Sequence, residues 1–184
     1  LVCENSTFVP TLKPLTNSLH FKYMQCNESC VFVPFYNYLL ILKVIHSNIS
    51  HLSPMQNLTF LTQLYLVNDS ILQITPSAFT DLANLVHLSL CFNPINYLHP
   101  DTFLNVSKIQ HIDLSHTQLT HLHHAIFKSN IELRKLLLSH TYISTFTLGG
   151  TLSSLLTLDI SNTDTTLRGM RSDLFIFKDM GNIS

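Results

Sequence analysis

The segment Leu85–Val106, LVHLSLCFNPINYLHPDTFLNV, decides the fold. Its first six residues carry aliphatics at Leu85, Leu88 and Leu90, the pattern LxxLxL. In a short strand successive side chains leave by opposite faces, so Leu88 and Leu90 share one side and His87 and Ser89 the other. Ile95, Leu98 and Phe103 then follow at intervals of 5, 3 and 5 residues. A single turn of chain like this cannot bury its own apolar side, so it needs copies stacked on its flanks.

The copies are present. LxxLxL recurs at Leu39-Leu42-Val44, Leu61-Leu64-Leu66, Ile109-Ile112-Leu114, Leu133-Leu136-Leu138 and Leu155-Leu158-Ile160, with starts 22 or 24 residues apart. Five residues after the last aliphatic of the first five strands stand Ile49, Ile71, Ile95, Leu119 and Ile143, and three residues later Leu52, Ile74, Leu98, Leu122 and Phe146. Phe79, Phe103 and Phe127 keep one further fixed position in the 24-residue copies. A self-similar period in this range is the mark of a solenoid. We therefore read an α/β solenoid, a leucine-rich-repeat horseshoe with a concave parallel β-sheet, convex loops and short helical turns. The repeats occupy 39–184 in about six coils starting near 39, 61, 85, 109, 133 and 155. The Phe column should form a second spine beneath the convex side.

Composition agrees. The chain is 46% hydrophobic and 11% charged, against about 25% charged in average domains. No apolar run reaches the ~20 residues of a membrane span; a thin solenoid, which commits most residues to core, accounts for the excess. With a net charge of −1 there is no basic footprint for nucleic acid. Enzyme signatures (GxSxG, a P-loop, GxGxxG, HExxH) are absent, and we expect neither catalysis nor a cofactor.

Sequons N-x-[S/T] occur at Asn5, Asn27, Asn48, Asn57, Asn68, Asn105 and Asn182, seven of the 14 asparagines, which points to an extracellular glycoprotein. No signal peptide is present, so the chain is expected to begin at a mature N-terminus. Residues 1–38 should cap the first coil, with Leu19, Phe21 and Tyr23 on a strand leading to Cys26. A Cys3–Cys26 bridge closing a cap hairpin is the favoured pairing; Cys3–Cys30 and Cys26–Cys30 stay open, because spacing cannot fix connectivity. Cys91 occupies a site where other coils carry Ser115, Ser139 and Ser161, and reads as a small unpaired residue. After Ile160 the pattern weakens through Leu167, Met170 and Leu174, and no cysteine-rich C-terminal cap follows. That open end is expected of a piece of a longer protein, or of one that pairs its open end.

Many leucine-rich repeats place Asn three residues after the strand, where its amide bonds neighbouring backbone. Here Ser47, Asp69, Asn93, Thr117, Thr141 and Thr163 fill the position. Hydroxyls bond more weakly, so a looser ladder is expected in the last coils.

Eleven histidines stand out. His121, His123 and His124 form HxHH, which could share a metal, but without a flanking carboxylate or cysteine a solvated loop is the better reading. His46, Asn68, Phe92, His116, His140 and Asn162 fall in one column at the edge of the concave face, and His87 and His111 form a neighbouring pair. Stacked imidazoles resist joint protonation, so this surface would change as pH falls through about 6.5: a pH-sensitive partner face, set against ordinary polar surface. Exposed strand positions add Lys43, Tyr65, Asp113, Lys135 and Asp159. The candidate binding face is thus Tyr65, His87, Phe92, His111, Asp113, His116, Lys135 and His140, a mixed surface that suits a protein or glycan better than a lipid. A glycan on Asn68 would screen part of it and push binding toward the later coils; Asn57 and Asn105 fall on convex segments.

The form IxxLxPxxFxxL, seen as ILQITPSAFTDL (Ile71–Leu82) and INYLHPDTFLNV (Ile95–Val106), resembles animal Toll-like receptor ectodomains and related extracellular leucine-rich proteins. IFKSNIELRKLLLS (Ile126–Ser139) and MGNIS (Met180–Ser184) look like the lipopeptide-sensing branch. The resemblance implies the N-terminal part of an innate immune receptor at the cell surface or in endosomes. Such a receptor would bind a protein, glycan or microbial ligand, pair with another receptor chain, and be anchored by a membrane segment outside this sequence. In that branch the ligand pocket lies in central repeats beyond this chain, so no ligand residues carry over. A secreted leucine-rich scaffold or matrix-type binding protein without signalling is the alternative.

Overall fold

The computed structural model describes residues 38–147, 152–163 and the strands or short segments at 2–3, 17–22, 25–26, 30–31, 166–168 and 175–177. Its centre is an eight-stranded sheet, all parallel, in which each strand lies beside the one from the next coil. The register is set by the hexads: Leu42, Leu64, Leu88, Ile112, Leu136 and Leu158 are aligned partners. Strand Ile41–Ile45 alternates buried and half-buried residues, as a sheet with one wet face must.

Inside, the aliphatic columns form one continuous core that runs from Leu19 to Ile160. The phenylalanines stack beneath the convex side as expected. Phe79 and Phe103 lie 6.1 Å apart and Phe103 and Phe127 5.7 Å apart, with planes within 12° of parallel. In the shorter first coil Met55 and Leu58 are buried instead.

The convex segments differ from expectation. Among the described residues there are no helices. The chain instead makes a run of separate turns: Ala78 N donates to Thr75 O, Thr80 N to Ser77 O, Leu82 N to Phe79 O and Leu85 N to Leu82 O. The pattern repeats 24 residues on at Thr102, Leu104, Val106 and Ile109, and again at Ile126, Lys128, Asn130 and Leu133. A helix needs consecutive i→i−4 bonds; here the bonds are i→i−3 and skip at least one residue between one donor and the next. Pro76 and Pro100, which lack a donor, sit within the first turn of two of these runs.

The sheet also reaches further than the six hexads. Ser18–Lys22, expected within a cap hairpin, pairs in parallel with Ile41–Ile45 and is the sheet's first strand. Cys26 falls in register with Ile49, a core position of the next coil. The antiparallel pair near the N-terminus is Val2–Cys3 with Cys30–Val31, and it sets Cys3 opposite Cys30. Cysteine side chains in this region, and hence the expected Cys3–Cys26 bridge, lie outside the described residues. At the other end Phe175–Phe177 adds a strand beside Thr157–Asp159, and Thr166–Arg168 pairs with Thr145–Thr147.

Candidate functional site

The expected binding face divides into two surfaces. Tyr65, His87, His111, Asp113 and Lys135 line an open depression of about 160 Å³ on the concave sheet, together with Ser89 and Leu137. Phe92, His116 and His140 are not part of it. They stand on the sheet's edge.

The depression follows from register. His87, His111 and Lys135 occupy the same position on three successive strands. The imidazoles of His87 and His111 are 4.1 Å apart, centre to centre. Partial burial and the nearby Lys135 cation hold the pKa of His87 below the ordinary histidine value. His111 is lowered in the same way by burial, then by His87, Lys135 and Arg134. Asp113 on the next row accepts from both the N–H and the hydroxyl of Ser115. Tyr65 is fixed at one wall: its hydroxyl donates to Gln63 at 3.0 Å, and Lys43 Nζ lies 4.7 Å from its ring centre.

The edge is a ladder of a different kind. Phe92 stacks on His116 at 4.1 Å, and His116 on His140 at 4.2 Å, with planes 11° and 12° apart. Asn162 Nδ2 donates to His140 Nε2 at 3.0 Å, and Asn68 Nδ2 to His46 Nδ1 at 2.7 Å. Both bonds require the accepting nitrogen to be unprotonated. All six residues of this column have left-handed backbone, with φ between 53° and 57° for His46, Asn68, His116, His140 and Asn162 and 59° for Phe92. None is glycine. The corner is held from the next coil: Phe92 N donates to Ser115 O, His116 N to Ser139 O and His140 N to Ser161 O. Sequence reasoning placed these residues in one line but did not anticipate this backbone.

Behind the edge lies the asparagine-position ladder. Asn93 does most. Its Oδ1 accepts from Asp69 N and Ile71 N in the preceding coil, and its Nδ2 donates to Leu66, Leu90 and Cys91 carbonyls. Asp69 Oδ1 accepts from Ser47 N at 2.7 Å, while its buried Oδ2 has no partner. Burial pushes the Asp69 carboxyl up to about 6. Thr117 and Thr141 donate to Leu114 and Leu138, three residues back in their own coils. The expected loosening does not reach the main chain: Leu90 N to Asp113 O, Leu114 N to Leu137 O and Leu138 N to Asp159 O stay at 2.7–2.9 Å. Backbone bonds of the parallel strands hold the register whichever side chain follows.

The convex histidines play a structural part. His99 Nδ1 accepts from Asp101 N, and His123 Nδ1 from Ala125 N one repeat later, so both cap convex turns. Within HxHH, His123 and His124 are 4.3 Å apart, and among the described residues no group of three metal-ligating side chains converges. Sequence reasoning missed Asn130. It is fully buried in a column filled by Leu82 and Val106, and it donates to Phe103 and Val106 carbonyls across the coil boundary. An isolated Asn in an aliphatic column was the available signal.

Cys91 is buried and unpaired, with its thiol pushed up by burial. Of the sequons, Asn48, Asn57, Asn68 and Asn105 are exposed; Asn5, Asn27 and Asn182 lie outside the described residues. Among the described residues no helix is long and apolar enough to cross a membrane.

A leucine-rich-repeat family model matches residues 59–119. Among solved structures, TLR13 in its complex with ssRNA13 superposes with a TM-score of 0.69 at 30% identity, over 75% of this chain and 20% of that one. The leucine-rich-repeat domain of APL1 gives 0.72 at 22% identity, over 81% and 42%. Drosophila Toll, in its complex with Spatzle, gives 0.68 at 17% identity, over 86% and 21%. A search of curated protein sequences gives no match. The chain thus spans between a fifth and less than half of the structures it resembles.

Proposed function

On a chain with the leucine-rich-repeat fold of Toll-like receptor and Toll ectodomains, we propose that residues of the concave depression and its edge form part of the ligand-recognition surface of an innate-immune-type receptor. The observation that carries this reading is the register that lines up Tyr65, His87, His111, Asp113 and Lys135 on one wet sheet face over a sealed core. Nothing in core packing needs these side chains there. The two Toll-type neighbours are seen in complexes with an RNA and with a protein, which supports binding rather than catalysis as the role. The ligand of this chain is taken to be a protein, glycan or microbial molecule, with a second receptor chain as a further partner.

The protein works outside the cell or in the endosomal lumen, carries glycans at its exposed sequons, and has a disulfide in its N-terminal region. Cys3–Cys26 is the pairing expected from sequence. Of the two alternatives, Cys3–Cys30 and Cys26–Cys30, the backbone register of Cys3 with Cys30 favours the first, since facing residues of an antiparallel pair lie about 4.5–5.5 Å apart, within disulfide reach. Non-reducing peptide mapping separates the pairings.

The functional test is a glycan wedge. Tyr65→Asn with Val67→Thr creates a sequon on the concave sheet, and Ser107→Ala removes the convex one at Asn105. Full-length receptor carrying each change would be screened in a reporter cell against a panel of microbial extracts and secreted proteins. The concave wedge should abolish whatever response the parent shows, and loss of the convex glycan should leave it intact. Equal responses from both would overturn the reading.

A further inference from the structure

The row His87, His111 and Lys135 is a run of nitrogen donors with no carboxylate inside it. Strand pairing fixes all three at one position on neighbouring strands, which spaces them by about 4.8 Å per strand. The groups facing them are few. Strand Gln63–Val67 presents Gln63 and Tyr65, both uncharged, and the His87 strand presents Ser89. Asp113 is the one carboxylate in the depression, and its Oδ1 is already taken by Ser115. Arg134 adjoins Lys135, and Thr157 follows it on the next strand. Asp159 faces Leu137 and pairs with Ser161. Among the described residues the ion pairs are those of Asp101 with His99 and Lys128, so Lys135 has no carboxylate partner there.

We infer that this row is a subsite for an oxyanion, a phosphate or sulfate group carried by the ligand. The inference rests on the concave-face reading above and names the chemistry that face would grip. Neutral imidazoles supply one N–H each and Lys135 a fixed cation; an oxyanion has enough lone pairs to accept from all three. The three sites sit on rigid strands, so little ordering is needed to bind. The anion also resolves an internal conflict. His87 and His111 are held below the ordinary histidine pKa by burial and by Lys135. A bound anion favours the charged form and draws protons onto both rings. Binding therefore takes up protons and tightens on acidification.

The test uses the secreted, glycosylated chain with 13C-labelled histidine and three probes at equal ionic strength: inorganic pyrophosphate, inorganic sulfate and chloride. Pyrophosphate or sulfate should move the His87 and His111 ring signals and raise both apparent pKa values. Sulfate, whose own charge is constant over this range, should bind more tightly at pH 5.5 than at 7.4, as proton linkage requires. Whichever of the two oxyanions binds more tightly names the source. Lys135→Ala and the double change His87→Gln, His111→Gln should each abolish the response. His123→Gln, on the convex side, should not. Shifts no larger than with chloride, or shifts unchanged in Lys135→Ala, would overturn the proposal. Because Tyr65→Asn with Val67→Thr leaves the row intact, the wedge experiment reports separately on the wider face.

Discussion

Asp69 is the residue most at odds with its place. Its Oδ1 does what an asparagine oxygen does at Asn93, but its Oδ2 lies where Asn93 presents a donor to carbonyls. A buried acceptor without a donor costs about 1–3 kcal/mol, and a carboxylate there is worse than its acid. The folded-state pKa, raised to about 6 from 3.8, means that folding prefers the protonated form. Stability from this group therefore rises as pH falls through about 6 toward 3.8 and is lost above that window. Asp69→Asn should raise the melting point at pH 7.4, by about 1–3 kcal/mol of stability, and the gain should shrink toward zero by about pH 4. A pH series of thermal melts on both proteins checks this; a constant difference would show that ionisation is not the cause. The imidazoles run the other way. His116 is lowered by burial and by His140, so its neutral form is the one the fold favours, and the stability it contributes is lost as pH drops below about 6.5. NMR titration should find His116 titrating below a free histidine, and titrating higher once His140→Ala removes its neighbour.

At the scale of the element, the two stacks lead to opposite expectations. Phe103 is fully buried between Phe79 and Phe127, so Phe103→Ala should cost about 3–5 kcal/mol. Phe92 is 51% exposed at the sheet edge. Phe92→Ala removes a large side chain yet should change stability by less than about 1 kcal/mol; denaturant melts of the two variants measure the contrast. The spine was legible from sequence because Phe79, Phe103 and Phe127 recur at one fixed spacing, and stacked coils turn a fixed spacing into a column. The edge was legible only as a column. Its left-handed backbone is usual for glycine and tolerated by Asn, so Asn68 and Asn162 hinted at it, but Phe92, His116 and His140 carried no such sign. That conformation is imposed by main-chain bonds from the following coil, which no local propensity encodes. The convex segments failed for a related reason: periodicity there fits a helical turn and a run of separate β-turns equally well, and the choice rests on hydrogen-bond spacing.

For the whole molecule, stability is a sum over neighbours. Each coil touches only those beside it, so an interior coil has two interfaces and an end coil one. Hydrogen exchange should accordingly be slowest for the amides of Gln63–Val67, His87–Ser89 and His111–Asp113 and faster toward Ser18–Lys22 and Phe175–Phe177. Uniform protection along the sheet would mean that the array opens as one unit. The two flanking strands were hidden in the sequence because they lack the aliphatic hexad: Ser18–Lys22 carries Leu19 and Phe21, and Phe175–Phe177 has two aromatics around one aliphatic. Sheet pairing, an inherently three-dimensional property, brought them in. The edge column has a further meaning at this scale. Each of the six coils presents there one side chain, lifted clear of the core by the same backbone shape, and from His46 to His140 that corner is braced by the same bond from the next coil. The six occupants include Asn, His and Phe, so the position accepts very different chemistry without a change in the corner that holds it. Such a row behaves like a line of movable type. Selection can reset one character at a time, at a fixed pitch, and compose a new message for a partner while the press behind it stays the same.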